Sequence, residues 1–289
     1  MAPEATRPAG GSPMLDISVI VVSHGHEALL PACLASLGPA LEGVSAEILL
    51  VDNLPRGGLA PALANLPVPV RVFENAQPRG LSANVNLAAA EARGAHLLIL
   101  NPDTEHRAGT LSEALRFLAA HPAIGLLGCT LLNLDFTPQQ SFRRFPNPAF
   151  VLARWLGASH WPWQPSFYRR GLMEGELGTA PQPVDWVFGA AMLLPRAAFR
   201  QVGGMDERYR LYYEDVDLAW RLRQAGWQTW MFQPLCFVHA HQRTSARRPF
   251  SAAWRWHVRS GLRFLWRSRA HWALGRNAPP PHRPPVAPG

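Results

Sequence analysis

Leu97-Leu98-Ile99-Leu100-Asn101-Pro102-Asp103-Thr104-Glu105 is the stretch whose reading decides the fold. Its apolar half is too short for a bilayer and is bounded by Gly94 and Pro102. It therefore reads as a buried strand that delivers a carboxylate on the turn after its last residue. In open α/β sheets that edge is where ligands bind. Asp103 is thus a candidate for holding a divalent cation, Mg2+ or Mn2+, with a diphosphate supplying the remaining oxygen ligands. The plainer reading is a turn: Asn and Asp beside Pro commonly make one, and Thr110-Leu111-Ser112-Glu113 is a capping box for the helix that follows.

Working outward toward the N-terminus, Ile17 to Val22 is a β-branched strand. It is followed by the polar turn Ser23-His24-Gly25-His26 and an amphipathic segment through Leu37, in which Pro31 fits only near a first helical turn. Ala46 to Val51 is a second strand ending in Asp52-Asn53, and Val70 to Phe73 a third ending in Glu74-Asn75. Ser82 to Ala92 is an Ala-rich helix closed by Gly94. The alternation predicts a parallel sheet with right-handed crossovers and a polar rim, a Rossmann-type nucleotide layer ending near Leu132. The loop from Ser23 to Glu27 has a single glycine, which excludes the dinucleotide fingerprint, and there is no Walker loop. A nucleotide would have to be held by side chains and a metal, which brings Asp52, Asn86 and Asp103 forward; Asp52 reads equally as an Asx turn before Pro55.

Toward the C-terminus, Phe142 to Pro183 carries Arg143, Arg144, Trp155, Trp161, Trp163 and many prolines without clear periodicity. It reads as a long insertion over the sheet whose tryptophans mostly pack as covers. Val184 to Leu194 resumes a strand pattern, interrupted by Gly189-Ala190-Ala191. Glu214, Asp215 and Asp217 crowd the start of a helix that ends at Gly226. Acids there complement the helix dipole, yet capping needs one and not three, and mutual repulsion raises a carboxylate toward the range of a general base. Trp227 to Phe232 is the next strand, and of His239 and His241 beyond it one imidazole can face inward. Arg255, Arg259, Arg263 and Arg267, spaced four apart among tryptophans, predict a basic stripe. It reads either as the solvated face of a packed helix or as an interfacial helix on anionic lipid.

The chain has 289 residues, 48% of them hydrophobic, enough for a substantial core. Its formal charge of +8 is uneven, because Asp217 is the last acidic residue. Met1 to Pro13 and Asn277 to Gly289 read as loose tails, the first without the apolar core of a signal peptide, and no window is long enough to be a transmembrane helix. Cys33, Cys129 and Cys236 sit in apolar runs and read as reduced core thiols of a cytoplasmic protein.

In order along the chain stand Ser18-Val19-Ile20-Val21-Val22-Ser23, Leu50-Val51-Asp52-Asn53, Gly80-Leu81-Ser82-Ala83-Asn84-Val85-Asn86, Leu100-Asn101-Pro102-Asp103-Thr104, Gly189-Ala190-Ala191, Gly203-Gly204-Met205-Asp206-Glu207 and Tyr213-Glu214-Asp215-Val216-Asp217-Leu218. Together and in this order they resemble the family 2 glycosyltransferases, particularly the rhamnosyltransferase-like branch, from about Ile17 to Ser245. The resemblance implies an α/β GT-A fold with a Rossmann-like nucleotide layer, a mixed central sheet and a C-terminal helical extension. Residues 14–245 would form the glycosyltransferase domain, divided into a donor half (14–132) and an acceptor half (133–245), followed by a basic helical segment (246–276) and the tail 277–289. It implies inverting transfer from a nucleoside-diphosphate sugar, with rhamnose on a deoxythymidine or uridine carrier suggested, to a glycan or lipid-linked acceptor. Peripheral membrane contact would run through the Arg/Trp segment on the inner face, with no nucleic acid as partner.

Carried over by position, Ser23, Asp52, Gly80, Asn86, Asn101 and Asp103 would bind the nucleotide sugar, and Asp103 with His239 the metal. Trp186 and Gly189 would face the acceptor, and Asp215, with Glu214 beside it, would be the catalytic base. Asn101 is neutral where the family often has an acid, which predicts either a weaker metal affinity or a metal held more by the nucleotide; His24-Gly25 stands where Tyr-Asn is usual. Two other classes compete. A sugar nucleotidyltransferase would need a Gly-rich basic loop after the first strand, which Ser23 to Glu27 does not provide; a non-catalytic basic protein would bind membrane or nucleic acid through the C-terminal arginines.

Overall fold

The computed structural model describes residues 14–63, 66–176, 178–240 and 251–273. The tails expected at 1–13 and 277–289, His241 and the boundary near Ser245 lie outside them. Four parallel strands, β1 (Leu15–Ser23), β2 (Ala46–Asp52), β3 (Val70–Glu74) and β4 (Gly94–Leu100), stand in the order β3-β2-β1-β4. The chain then leaves the sheet and re-enters at its far edge as β5 (Thr104–Ala108), followed by β6 (Ile124–Leu132). Short strands β7 (Pro138–Gln139), β8 (Phe142–Arg143), β9 (Gln182–Val184) and β10 (Trp186–Val187) lead to β11 (Ala191–Pro195), which runs antiparallel between β4 and β6. The last strand, β12 (Gln228–His239), lies parallel to β6 and antiparallel to β5, so the sheet is mixed, as expected. β8 and β10 pair separately as a two-stranded ribbon.

Strands β1, β2 and β4 form because their apolar runs are buried on both faces, as the inner strands of a parallel sheet require. In β1, Ile17, Val19 and Val21 meet one core while Ile20 and Val22 meet the other, the alternation that a period of two imposes. The first core is closed by α1 (Leu30–Ala35), α2 (Leu37–Ala40), α3 (Ala60–Leu63) and α5 (Leu111–Ala120), through Leu30, Leu34, Leu37, Leu111 and Leu118. The second is closed by α4 (Leu81–Glu91), α8 (Arg196–Gln201) and α9 (Glu214–Gln224), through Val85, Ala88, Phe199, Leu218 and Leu222. Pro31 occupies the first turn of α1, and the capping box at Thr110 and Glu113 forms in both directions.

Three readings of the sequence are corrected. Gly94 does not close α4 but opens β4, where any Cβ would collide with the backbone of Ile17 and Ser18. The stretch from Phe142 to Pro183 contains two helices, α6 (Pro148–Trp155) and α7 (Ser166–Leu172), packed around a small core of Phe150, Tyr168 and Leu172; its prolines hid helices too short to show a period. The final helix, α10 (Ala252–Ala273), does not turn all four of its regularly spaced arginines to solvent. It buries Ser260, Phe264 and Ser268, and Arg267 on that side pairs with Asp217 and Asp206 at 3.0 and 2.6 Å. The exposed stripe is instead Arg255, Arg259, Leu262, Trp266 and Arg269.

Candidate active site

The parallel strands end together at one edge, and the side chains singled out in the sequence gather there in three groups. The first lies at the ends of β1 to β3. Ser23 and Asp52 are buried, and an Asp52 oxygen accepts the Leu54 N–H at 3.2 Å, the Asx turn that local sequence allowed. Beside them runs an amide network that the sequence did not reveal. Asn53 Oδ1 accepts from Asn75 (2.8 Å) and the Arg79 N–H (2.8 Å), Asn75 donates on to Asn84 (2.7 Å), and Asn53 Nδ2 contacts the His24 imidazole at 3.1 Å. His24 thus closes the rim by hydrogen bonding. Gly80 opens α4 where a Cβ would lie 3.2 Å from the Arg210 backbone, so this glycine is a close-packing point. Asn86 points elsewhere: its amide accepts from the Met205 N–H and donates to the Met205 carbonyl, both at 2.8 Å, tying the Gly203–Glu207 turn to α4.

The second group surrounds Asp103. The Asn101 carbonyl accepts from the Thr104 hydroxyl at 2.7 Å, which fixes the turn after β4. Thr104 then stands opposite His239 in the β5–β12 register, and the Ala240 N–H donates to the Asp103 carbonyl at 2.9 Å. Sheet pairing therefore places the His239 Nε2 atom 3.5 Å from Asp103 Oδ1, although 136 positions separate them in the chain. Burial raises the Asp103 carboxyl, but the contact and charge of His239, with a smaller contribution from His26, more than offset it and hold it below the usual carboxylate value.

Gln139, on β7, fixes which face of the imidazole points at Asp103. Its NH2 donates to the His239 carbonyl at 2.8 Å and to the Leu132 carbonyl at 3.3 Å, so its oxygen is left to accept from His239 Nδ1 at 3.0 Å. With the hydrogen on Nδ1, a neutral His239 turns the Nε2 lone pair toward a carboxylate oxygen. Two acceptors face one another, an arrangement that a proton or a bound cation must bridge. Among the described residues no three His, Cys, Asp or Glu side chains are grouped so as to hold a metal ion by themselves. Two protein ligands suit a cation that keeps its other positions for diphosphate and water, so the residues present fit Mg2+ or Mn2+.

The third group is built on strain. Tyr212 and Tyr213 are consecutive non-glycine residues in the left-handed region, at φ 65° and 66°, immediately before α9. This turn brings Asp215 against β11's entry, where the Gly189 N–H donates to Asp215 Oδ2 at 3.0 Å and the Val216 N–H to Oδ1 at 2.8 Å. The neighbouring Ala190 carbonyl accepts from the Asn101 N–H at 2.9 Å, so the Asp103 and Asp215 segments are joined through one short bridge. Burial raises both Asp215 and Glu214, and Asp215's charge raises Glu214 further. Asp215 has two N–H donors to stabilise its anion, while Glu214 Oε2 is buried with no hydrogen-bond partner. Asp217, the third acid of the cluster, is fully buried and paired with Arg221 and Arg267, hence structural. Trp186 stacks on Phe188 beside this group and donates to the Arg144 carbonyl at 3.0 Å.

A parallel nucleotide layer merged with an antiparallel half, with acids at the shared edge, is the GT-A glycosyltransferase arrangement. Solved structures agree. The fold is similar to GalNAc-T7 with UDP, GalNAc and Mn2+ (17% identity, TM-score 0.59, covering 80% of this chain and 45% of that one). It is also similar to the mannosyltransferase PcManGT from Pyrobaculum calidifontis in complex with GDP-Man and Mn2+ (18%, TM-score 0.56, 95% and 67%). The family model for glycosyl transferase family 2 matches residues 18–183, more than half of the chain, and the protein belongs to that family, in its rhamnosyltransferase-like branch. It is 30% identical over 278 residues, covering 89% of both chains, to an N-acetylglucosaminyl-diphospho-decaprenol L-rhamnosyltransferase of Mycobacterium tuberculosis. It is 27% identical over 266 residues, 88% of this chain and 94% of the relative, to the rhamnosyltransferase WbbL of Escherichia coli.

Proposed function

We propose that this glycosyltransferase moves a sugar, rhamnose by likeness to its relatives, from a nucleoside diphosphate to a hydroxyl of a lipid-linked saccharide, with inversion at the anomeric carbon. The observation that carries this reading is the meeting at one sheet edge of Asp215, held by the Gly189 N–H, with the Asp103–His239 pair. Asp215 accepts the acceptor's hydroxyl proton, the freed oxygen bonds to the sugar's C1, and the bond from C1 to the diphosphate oxygen breaks. A divalent cation held by Asp103 and His239 would neutralise the leaving diphosphate. Asp52 and the Asn53–Asn75–Asn84 network form the floor for the nucleotide, with Ser23, Gly80 and Asn101 around it.

Among the described residues no helix is long and apolar enough to cross a membrane. The exposed stripe of α10, with Trp266 65% and Leu262 53% exposed among Arg255, Arg259 and Arg269, is suited to an anionic lipid surface on the inner face of a membrane. The test is Asp215→Asn, nearly isosteric and unable to take a proton. Transfer should fall by about 10³-fold while titration with nucleotide sugar is unchanged. Retained transfer, or lost donor binding together with lost transfer, would reject Asp215 as base.

A further inference from the structure

The loop between α8 and α9 and the outer face of α10 enclose a cleft of about 380 Å³ that the transfer chemistry does not use, lined by Arg208, Arg259, Arg263 and Trp266. On α10, Arg259, Arg263 and Trp266 are spaced four and three apart, which puts them on one face of the helix. The Arg263 guanidinium lies over the ring of Tyr209 and that of Arg259 over Trp256, each with Cζ 5.9 Å from the ring centre. Tyr209 is fully buried, so the platform under Arg263 is fixed. Among the described residues neither arginine makes an ion pair or a hydrogen bond, so both keep all their N–H donors.

Arg208 enters the cleft from the loop, its Nε and Nη2 donating to Asp206 at 2.8 and 2.6 Å. Asp206 also accepts from Arg267 Nη2 at 2.6 Å, so its charge is answered twice and cancels neither Arg259 nor Arg263. Like charges four apart on a helix repel. A bound anion removes that repulsion and meets planar guanidinium donors, the geometry that suits a phosphate. The mouth of the cleft is apolar, with Leu262 and Trp266 well exposed and Trp266 stacked under Arg269, whose Cζ is 4.0 Å from its ring centre. Next to it α6, whose Trp155 packs against Gly261 of α10, adds exposed Leu152 and Leu156. Free phosphate would use the arginines alone; a lipid uses the apolar mouth as well, and Trp suits the level where headgroups meet acyl chains.

Resting on the reading of α10 as a lipid-facing helix, we propose that this cleft seats the phosphodiester of one anionic phospholipid, with Arg259 and Arg263 on the phosphate, Arg208 at the wall, and the acyl chains leaving over Trp266 and Leu262. The seat differs from the diffuse attraction of the stripe, because Arg255 and Arg269 belong to the stripe but do not line the cleft. Diffuse attraction leaves the molecule free to turn on the surface. A lipid held between α10 and the α8–α9 loop fixes one orientation of the domain.

The experiment uses the full chain, saturated with nucleoside diphosphate and Mn2+ so that the donor site is filled, and dihexanoyl phosphatidylglycerol below its critical micelle concentration as the probe in calorimetry. Saturable one-to-one binding is expected, tighter than that of inorganic phosphate or of dihexanoyl phosphatidylcholine. Arg263→Gln should weaken the probe by about tenfold, the size of a lost charge-assisted hydrogen bond, and Arg259→Gln in the same direction. Trp266→Ala should weaken the probe but not inorganic phosphate, and Arg255→Gln, on the stripe but outside the cleft, should leave the probe's affinity unchanged. No saturable binding, or an equal loss in Arg255→Gln and Arg263→Gln, overturns the seat; if the chain still floats with phosphatidylglycerol vesicles, the lipid-facing reading of α10 stands without it. If the probe binds with these variant effects yet the chain does not float with those vesicles, the surface reading falls and the seat stands. Inorganic phosphate binding as tightly as the probe, with Trp266→Ala silent, would assign the cleft to free phosphate and overturn the lipid.

Discussion

The Asp103–His239 corner and the Glu214–Asp215 corner lie on the same sheet edge but are held by opposite means. The first is a product of register: β5 and β12 pair so that Thr104 meets His239, and a Gln139 amide locks the imidazole from behind. Nothing in it is strained. The second depends on two left-handed tyrosines, and a separate helix keeps them in place. Ser260 of α10 donates to the Leu211 carbonyl at 3.0 Å, His257 packs on both Tyr212 and Tyr213, and Phe264 lies against Tyr213. A pair placed by a ladder of backbone hydrogen bonds tolerates changes at a distance. A carboxylate aimed by a strained turn depends on whatever prevents that turn from relaxing.

If the first corner is a metal site held by register, damage to its ligands should remove metal affinity without disturbing the base. Asp103→Asn is expected to lower turnover by about 10²-fold or more, on the scale of a lost electrostatic stabiliser, and to abolish Mn2+ binding followed by electron paramagnetic resonance with nucleoside diphosphate present. Gln139→Ala, which removes no ligand, should weaken Mn2+ by about 10- to 100-fold, and Gln139→Glu, which still accepts from Nδ1, should recover most of it. Full Mn2+ affinity in Gln139→Ala would show that the imidazole needs no orienting partner.

The second corner makes a pH prediction with a definite sign. If Asp215 is the base it must be ionised to accept a proton, and its folded carboxyl is raised by burial. Turnover should therefore climb with pH along a limb lying above the ordinary aspartate value of about 4. Burial and the charge of Asp215 raise Glu214, so Glu214→Gln copies its protonated form and should retain most activity, unlike Asp215→Asn. Because both acids bind protons more tightly when folded than when unfolded, they stabilise the fold least at high pH. Stability falls as pH rises from about 4 through their raised values, and Glu214→Gln should flatten that fall in thermal melts at pH 5 and 8. A melt difference that is the same at both pH values would show that Glu214 is not raised.

What could be read beforehand divides along the same line. The strands, the edge on which they end and Asp103 were legible because apolar runs and turn residues are local signals, and the motifs in order implied the mixed sheet and His239. Gln139, the Asn53–Asn75–Asn84 network and the Tyr212–Tyr213 turn were not legible. Each arises from contacts between distant segments, and bulky tyrosines give no sign of positive φ. The same holds for Asn86, whose position in a motif said nothing of the Met205 backbone it holds. The arginines of α10 looked like one stripe because their spacing of four drifts slowly around a helix of 3.6 residues per turn. By Arg267 that drift had carried the side chain inward to Asp217.

The smallest expected effect tests the comparison most finely. Gly261 faces Tyr213 across the α10 interface, and a Cβ there would lie 3.3 Å from both the Tyr213 hydroxyl and the Trp155 ring, close enough that one of them must shift by a few tenths of an ångström. Gly261→Ala gains up to about 1 kcal/mol of helix propensity, so the melting temperature should change little or rise. Turnover should nevertheless fall several-fold, because the shift passes through Tyr213 to the turn that aims Asp215, while Mn2+ affinity stays that of the wild type. A fall in Mn2+ affinity alongside turnover would mean that the two corners share one mechanical support. Unchanged turnover would mean that the tyrosine turn holds itself, and that α10 serves this edge only as a cover.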